Sequence, residues 1–115
     1  MTAQTVRYKN DSMDTVRFKP DARTRRRFFV KESFAHPAKM ACGLVEEIAA
    51  RCGIKAGDWV LDPMAGSGTT MILALQGINV CLVELESHFV DPMRRSWEKM
   101  RQNPMLGFTI GSVVI

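Results

Sequence analysis

No stretch of this chain of 115 residues is apolar over the roughly 18 residues that a membrane-crossing helix needs, and charges stand where a secretory signal would carry its apolar run. That excludes a spanning segment and makes the cytoplasm the expected location. Cysteine is scarce: Cys42, Cys52 and Cys81 are odd in number, have no CxxC spacing and fall in segments that read as helix or strand. They are expected to be small core residues rather than metal ligands. No GK[ST] string follows the glycines, which excludes a P-loop, and no two prolines are adjacent. What remains has an ordinary globular balance of 46% hydrophobic and 24% charged residues, in a length that can bury one core but not two.

Acidic residues are sparse at the beginning. Residues 1–31 hold nine Lys or Arg against three Asp, a balance of +6, whereas residues 32–115 balance at −2. Arg23, Arg25, Arg26, Arg27 and Lys31, with Phe28 and Phe29 beside them, suit either phosphate neutralisation with some stacking or a solvated basic arm. TVRYK at Thr5–Lys9 returns as TVRFK at Thr15–Lys19 around a polar turn, the pattern of a small hairpin or of an extended arm. Two copies do not make a repeat protein.

Beyond residue 33 the pattern becomes that of an α/β unit. Ala41, Leu44, Val45 and Ile48 follow helical spacing, with Pro37 in a first-turn position and Gly53 as a stop, which predicts a helix over about Ala38–Cys52. Trp59-Val60-Leu61 reads as a short buried strand running into Asp62, Thr70–Gln76 as a helix ending at Gly77, and Val80–Val83 as a second strand ending in Glu84. Asp91-Pro92 can cap a further helix on which Phe89, Met93, Trp97 and Met100 share a face, with Arg94, Arg95, Lys99 and Arg101 mostly off it. Phe108–Ile115 reads as the start of a third strand.

The sharpest local signal is Asp62-Pro63-Met64-Ala65-Gly66-Ser67-Gly68-Thr69-Thr70, set between a strand and a helix as a nucleotide-binding loop is. Gly66 and Gly68 permit a tight turn and a close backbone approach, and the N–H groups at the following helix start can meet an anion. Asp62 can accept a hydrogen bond from an ammonium group, and Thr69 or Thr70 can add a hydroxyl. Glu84, 22 residues beyond Asp62 at the end of the next strand, stands where such folds place an acid for ribose hydroxyls. Loop and acid together ask for a ligand with an amino-acid end and a ribose. A dinucleotide is disfavoured, because the third glycine of GxGxxG would fall at Met71.

Phe34-Ala35-His36-Pro37-Ala38-Lys39-Met40, followed by LDPMAGSGTT and VELE, resembles the amino-group DNA methyltransferases, which modify the exocyclic amine of adenine or cytosine; the likeness covers roughly Phe29 to Met100. It implies a partial Rossmann-like methyltransferase fold of the α/β class: a βαβ unit with a preceding helix and an incomplete parallel sheet. It also implies S-adenosylmethionine (SAM) as cofactor, with Phe34, His36, Pro37 and Lys39 closing over its methionine end. Asp62, Pro63, Gly66, Gly68 and Thr69 would form the binding loop, and Glu84 would take the ribose. On their own residue types, His36 reads as a helix cap and Phe34 as a core aromatic; the resemblance turns both toward ligand. Residues 1–33 are then expected to be a basic arm or hairpin whose Arg23, Arg25, Arg26 and Arg27 meet nucleic acid, and residues 34–115 the partial SAM-binding domain.

That family transfers its methyl group at a second motif, Asp/Asn/Ser-Pro-Pro followed by an aromatic, which holds the target amine and stacks on the flipped base. Asn103-Pro104-Met105 and Asp91-Pro92-Met93 are the nearest strings here, and both lack the second proline and the ring. They read as a turn and a helix cap. The chain is therefore expected to be truncated before the catalytic half and inactive alone. The expected partners are a complementary catalytic polypeptide or a second copy associating through exposed strand edges, with DNA or RNA as substrate and Val80–Val83 and the tail left as open edges. The competing expectations are a non-catalytic nucleic-acid binding or interaction module on a remnant scaffold, and an enzyme acting on a different small substrate.

Overall fold

The computed structural model describes residues 4–7, 15–18, 20–36, 39–103 and 109–115. Its elements run β1 (Gln4–Arg7), β2 (Thr15–Phe18), α1 (Asp21–Phe28), a 3-10 helix (Lys31–Ala35), α2 (Cys42–Arg51), β3 (Trp59–Asp62), a second 3-10 helix (Thr69–Gln76), β4 (Asn79–Leu82), α3 (Ser87–Arg101) and β5 (Val113–Val114). The fold is mixed α/β, compatible with a partial Rossmann-like architecture. Among the described residues no helix is long and apolar enough to cross a membrane.

β1 and β2 pair antiparallel with Val6 opposite Val16, so the repeated TVR strings form the two arms of one ribbon. β3, β4 and β5 form a parallel sheet in that order. Its register aligns Val60, Val80 and Val113 across one face and Leu61, Cys81 and Val114 across the other. The first face meets the helices: Val80 and Leu82 are buried, and Val60 and Val113 pack against the same core. The second is open, with Trp59 60% and Leu61 63% exposed. β4 is therefore the centre of the sheet, paired on both sides, and the open edges belong to β3 and β5 rather than to Val80–Val83.

The segment between β3 and β4 is apolar all round, and every residue from Met71 to Leu75 is buried between the sheet and α2. It winds as a 3-10 helix, tighter than the α-helix that its composition suggests. Gly77 closes it at φ +81°, a conformation that a residue with a Cβ rarely adopts.

Two helix starts and one cysteine differ from the sequence pattern. Residues 39–41 are not helical, and α2 begins at Cys42. The cause lies outside the helix: Asp21 Oδ1 accepts the Cys42 N–H at 2.8 Å, capping the helix start from α1. The buried stripe consequently runs through Cys42, Val45 and Ala49, while Ile48 is 37% exposed. α3 begins at Ser87, which puts Pro92 inside the helix instead of at its cap. The turn upstream of the proline is held by tertiary contact, since the Phe89 ring packs against His36 at 4.4 Å between centroids. Finally, Cys52 is exposed at the end of α2; only Cys42 of the three cysteines is fully buried.

α3 joins the N-terminal elements to this frame. Met93 and Met100 enter the core, and Ser96 Oγ accepts the Val30 N–H at 3.0 Å. Lys99 turns back as well, its Nζ donating to the carbonyls of Arg26 and Phe29 at 2.8 and 3.0 Å. Those carbonyls end α1, where a cation is favoured by the helix dipole.

Candidate functional site

β3 delivers the chain to Asp62 at the carboxyl end of the sheet, where ligands gather in open α/β folds. Asp62 then organises the turn after it: Oδ1 accepts the Met64 N–H at 3.1 Å and Oδ2 accepts the Thr70 hydroxyl at 2.6 Å. The two glycines of the loop have different work. Gly66, at φ +56°, lies so close to His36 that an added Cβ would sit 2.9 Å from Nε2. Gly68, at φ +81°, would set a Cβ 2.7 Å from Met93 Cγ and 2.8 Å from Met71 Cε. Gly66 thus admits His36 over the loop, and Gly68 admits the core beneath it.

The strand-end acid reaches the same loop. Glu84 Oε2 accepts the Gly66 N–H at 2.5 Å and Oε1 accepts the Glu86 N–H at 3.0 Å. Those backbone donors, Glu86 first, hold its carboxyl below the usual range, with the nearby His36 adding to the effect. Glu84 is ionised at neutral pH and faces the loop.

A cleft of about 350 Å³ opens above this turn. His36, Lys39 and Met40 form one wall; Asp62, Pro63, Gly66 and Thr70 form the other. Lys39 braces its own wall, donating from Nζ to the Phe34 carbonyl at 3.1 Å and the His36 carbonyl at 3.4 Å. An apolar hollow of about 210 Å³, walled by Ile48, Val60 and Leu61, shares Met40, Asp62, Pro63 and Thr70 with the cleft. The site therefore has a cleft over the loop that carries its charged and hydroxyl groups, within the size range of small-ligand sites, and a smaller apolar hollow beside it. A larger hollow of about 490 Å³ between β2 and α2 shares no residue with either and has the mixed charges of Arg17, Glu46 and Glu47.

Of the residues singled out from sequence, His36, Lys39, Asp62, Pro63, Gly66 and Thr69 line the cleft, and Glu84 is bonded to it through Gly66. Phe34 lies elsewhere, in a basic cleft with Arg26, Lys31 and Lys99. Gly68 is packed against Met93 and Met71. Pro37 falls outside the described residues. The four arginines of α1 divide: Arg23, Arg26 and Arg27 are exposed, whereas Arg25 is fully buried. Its guanidinium donates to Asp21 at 2.7 Å, to the Met40 carbonyl at 2.9 Å and to Thr69 Oγ1 at 2.8 Å, and lies 4.9 Å from the centre of the Phe29 ring. The Thr69 hydroxyl is thereby turned inward, so Thr70 is the threonine whose hydroxyl meets Asp62.

Asp21, Met40 and Ser67 had no role assigned from sequence, and Arg25, expected to meet nucleic acid, is instead buried beneath the loop. A signal was present for two of them. Asp21, Arg25 and Phe28 recur at i, i+4 and i+7 on α1, the spacing of a buried helical face, and the acid and base are placed to pair.

The sequence that forms this site is similar to known proteins. A family described as DNA methylase matches residues 3–95. The Type II methyltransferase M.MwoI of Methanothermobacter wolfeii is 36% identical over 64 residues, which cover 49% of this chain. The chain spans about a tenth of that relative, the aligned share being 10%.

Proposed function

The chain belongs to the DNA methylase family, and from that membership we propose that it is the SAM-binding portion of an enzyme that methylates the exocyclic amine of adenine or cytosine in DNA. One observation carries the reading. The Glu84 carboxylate accepts the Gly66 N–H at 2.5 Å, so the strand-end acid and the glycine loop are in direct contact instead of being separate features. The donor set suits SAM. Asp62 offers a carboxylate to the ligand's ammonium group, Thr70 a hydroxyl, and His36 and Lys39 a wall over the methionine end, with Pro63 and Gly66 shaping the turn. Glu84 would take the ribose hydroxyls, and the apolar hollow beside Ile48 and Val60 offers room for an uncharged part of the ligand. When bound, SAM supplies an electrophilic methyl group on its sulfonium. The residues here bind and orient it, while the motif that holds the target amine has no counterpart in these 115 residues. Methyl transfer also needs groups that hold the target amine, and in this reading the chain does not supply them.

DNA is the substrate of this reading, met by the exposed Arg23, Arg26 and Arg27 of α1. The same cations support a second reading, a nucleic-acid binding module that uses the fold as a scaffold. Ligand-induced shifts of the thermal midpoint separate the two. SAM should raise the midpoint of the chain while NAD and ATP leave it unmoved. A chain that ignores SAM but binds duplex DNA, with affinity falling steeply as salt rises, is the second protein and not the first.

A further inference from the structure

Arg25 is the largest fully buried side chain in the described structure and carries a charge into it. Such a group is costly to bury unless every donor is met, and here the donors meet three different parts of the site. One nitrogen pairs with Asp21, whose other oxygen caps α2 at Cys42. A second donates both to the Met40 carbonyl, on the wall of the cleft, and to Thr69 Oγ1, in the loop. The third lies 3.5 Å from Ser67 Oγ, and Ser67 and Thr69 share a further hydrogen bond at 3.2 Å. Loop, wall and helix start are thus fixed relative to one another through one planar fork, a geometry that a lysine cannot reproduce.

We propose that Arg25 is a positioning residue for the cofactor loop: anchored by Asp21, it locks Ser67 and Thr69 to Met40, so that ligand affinity depends on a side chain that lies beneath the site. The proposal rests on the SAM reading only for the identity of the ligand. Asp21, the partner that it requires, is held ionised. Burial alone would raise its carboxyl, but hydrogen bonds from Arg25 and the Cys42 N–H outweigh that and lower it.

The test uses the full chain with Arg25→Lys, Thr69→Val, the double variant, and Thr69→Ser as the conservative control. Two quantities are read: amide hydrogen exchange at residues 64–70 without ligand, and the SAM dissociation constant. Each single variant should speed loop exchange and weaken SAM binding by about tenfold, the double variant should be no worse than Arg25→Lys alone, and Thr69→Ser should leave both near the parent values, because the contact that Thr69→Val removes is one that Arg25→Lys also removes. Additive effects, or a folded Arg25→Lys chain with loop exchange and affinity unchanged, overturn the proposal. If the unmodified chain does not bind SAM, the SAM reading fails by itself, and the exchange data alone decide whether Arg25 holds the loop.

Discussion

Asp21 shows how much a single side chain can carry in a small domain. One oxygen meets Arg25 and the other caps α2, so its carboxylate satisfies a buried cation and an orphan helix N–H together. Its pKa is depressed in the folded chain, and the linkage follows from that sign. The stability it contributes is fully present above its unfolded value of about 3.9 and is lost as pH falls through the lower folded value. Asp21→Asn should therefore be less stable than the unmodified chain at pH 7 by about 1–3 kcal/mol, as for other lost buried hydrogen bonds to charge. In urea unfolding the gap should narrow below about pH 4; a gap of constant size from pH 7 to 3 would remove Asp21 from this role. Cys42, next to the same carboxylate, has its thiol pushed far up by burial, with the Asp21 charge adding to it, which makes it an inert core group.

At the scale of elements, the legible parts were the local ones. The run from Trp59 to Glu84 can be read directly because each step has its own chemistry: β-compatible residues, a glycine loop, an apolar segment stopped by Gly77, a second strand. The illegible parts are those decided by distant contacts. Nothing near residue 42 says that α2 starts there, since its cap comes from Asp21, and nothing near Pro92 says that the helix begins five residues earlier against His36. The run of arginines looked uniform for the same reason. Only the docking of α1 on the loop distinguishes Arg25 from its neighbours.

The loop's seat on α3 gives an element-level prediction. Gly68 has a positive φ, and its missing Cβ leaves room for Met93 and Met71. Gly68→Ala should destabilise the chain by about 2 kcal/mol or more, from the left-handed backbone and the crowding together. Thermal unfolding checks this. A Gly68→Ala chain as stable as its parent would mean that α3 does not press on the loop.

For the whole molecule, the described residues cover the sheet on one face only. Trp59, Leu61 and Val114 are exposed along the other, and Leu85 and Met64 stand out at the carboxyl end beside the cleft. Parallel strands are normally packed on both faces, so this surface has the composition of an interior. Its openness explains why Trp59-Val60-Leu61 reads from sequence as a wholly buried strand when only one face is. The contacts within the loop do not involve that face: Asp62 meets Thr70, Glu84 meets Gly66, and His36 meets Phe89 of α3.

The central claim is that this framework forms a SAM site around the loop that begins at Asp62. Isothermal titration of the chain with SAM, beside an Asp62→Ala control of equal thermal stability, tests it most directly. The account predicts saturable binding near one SAM per chain, lost in the control. No heat from the folded parent chain, or equal binding by both, would contradict it.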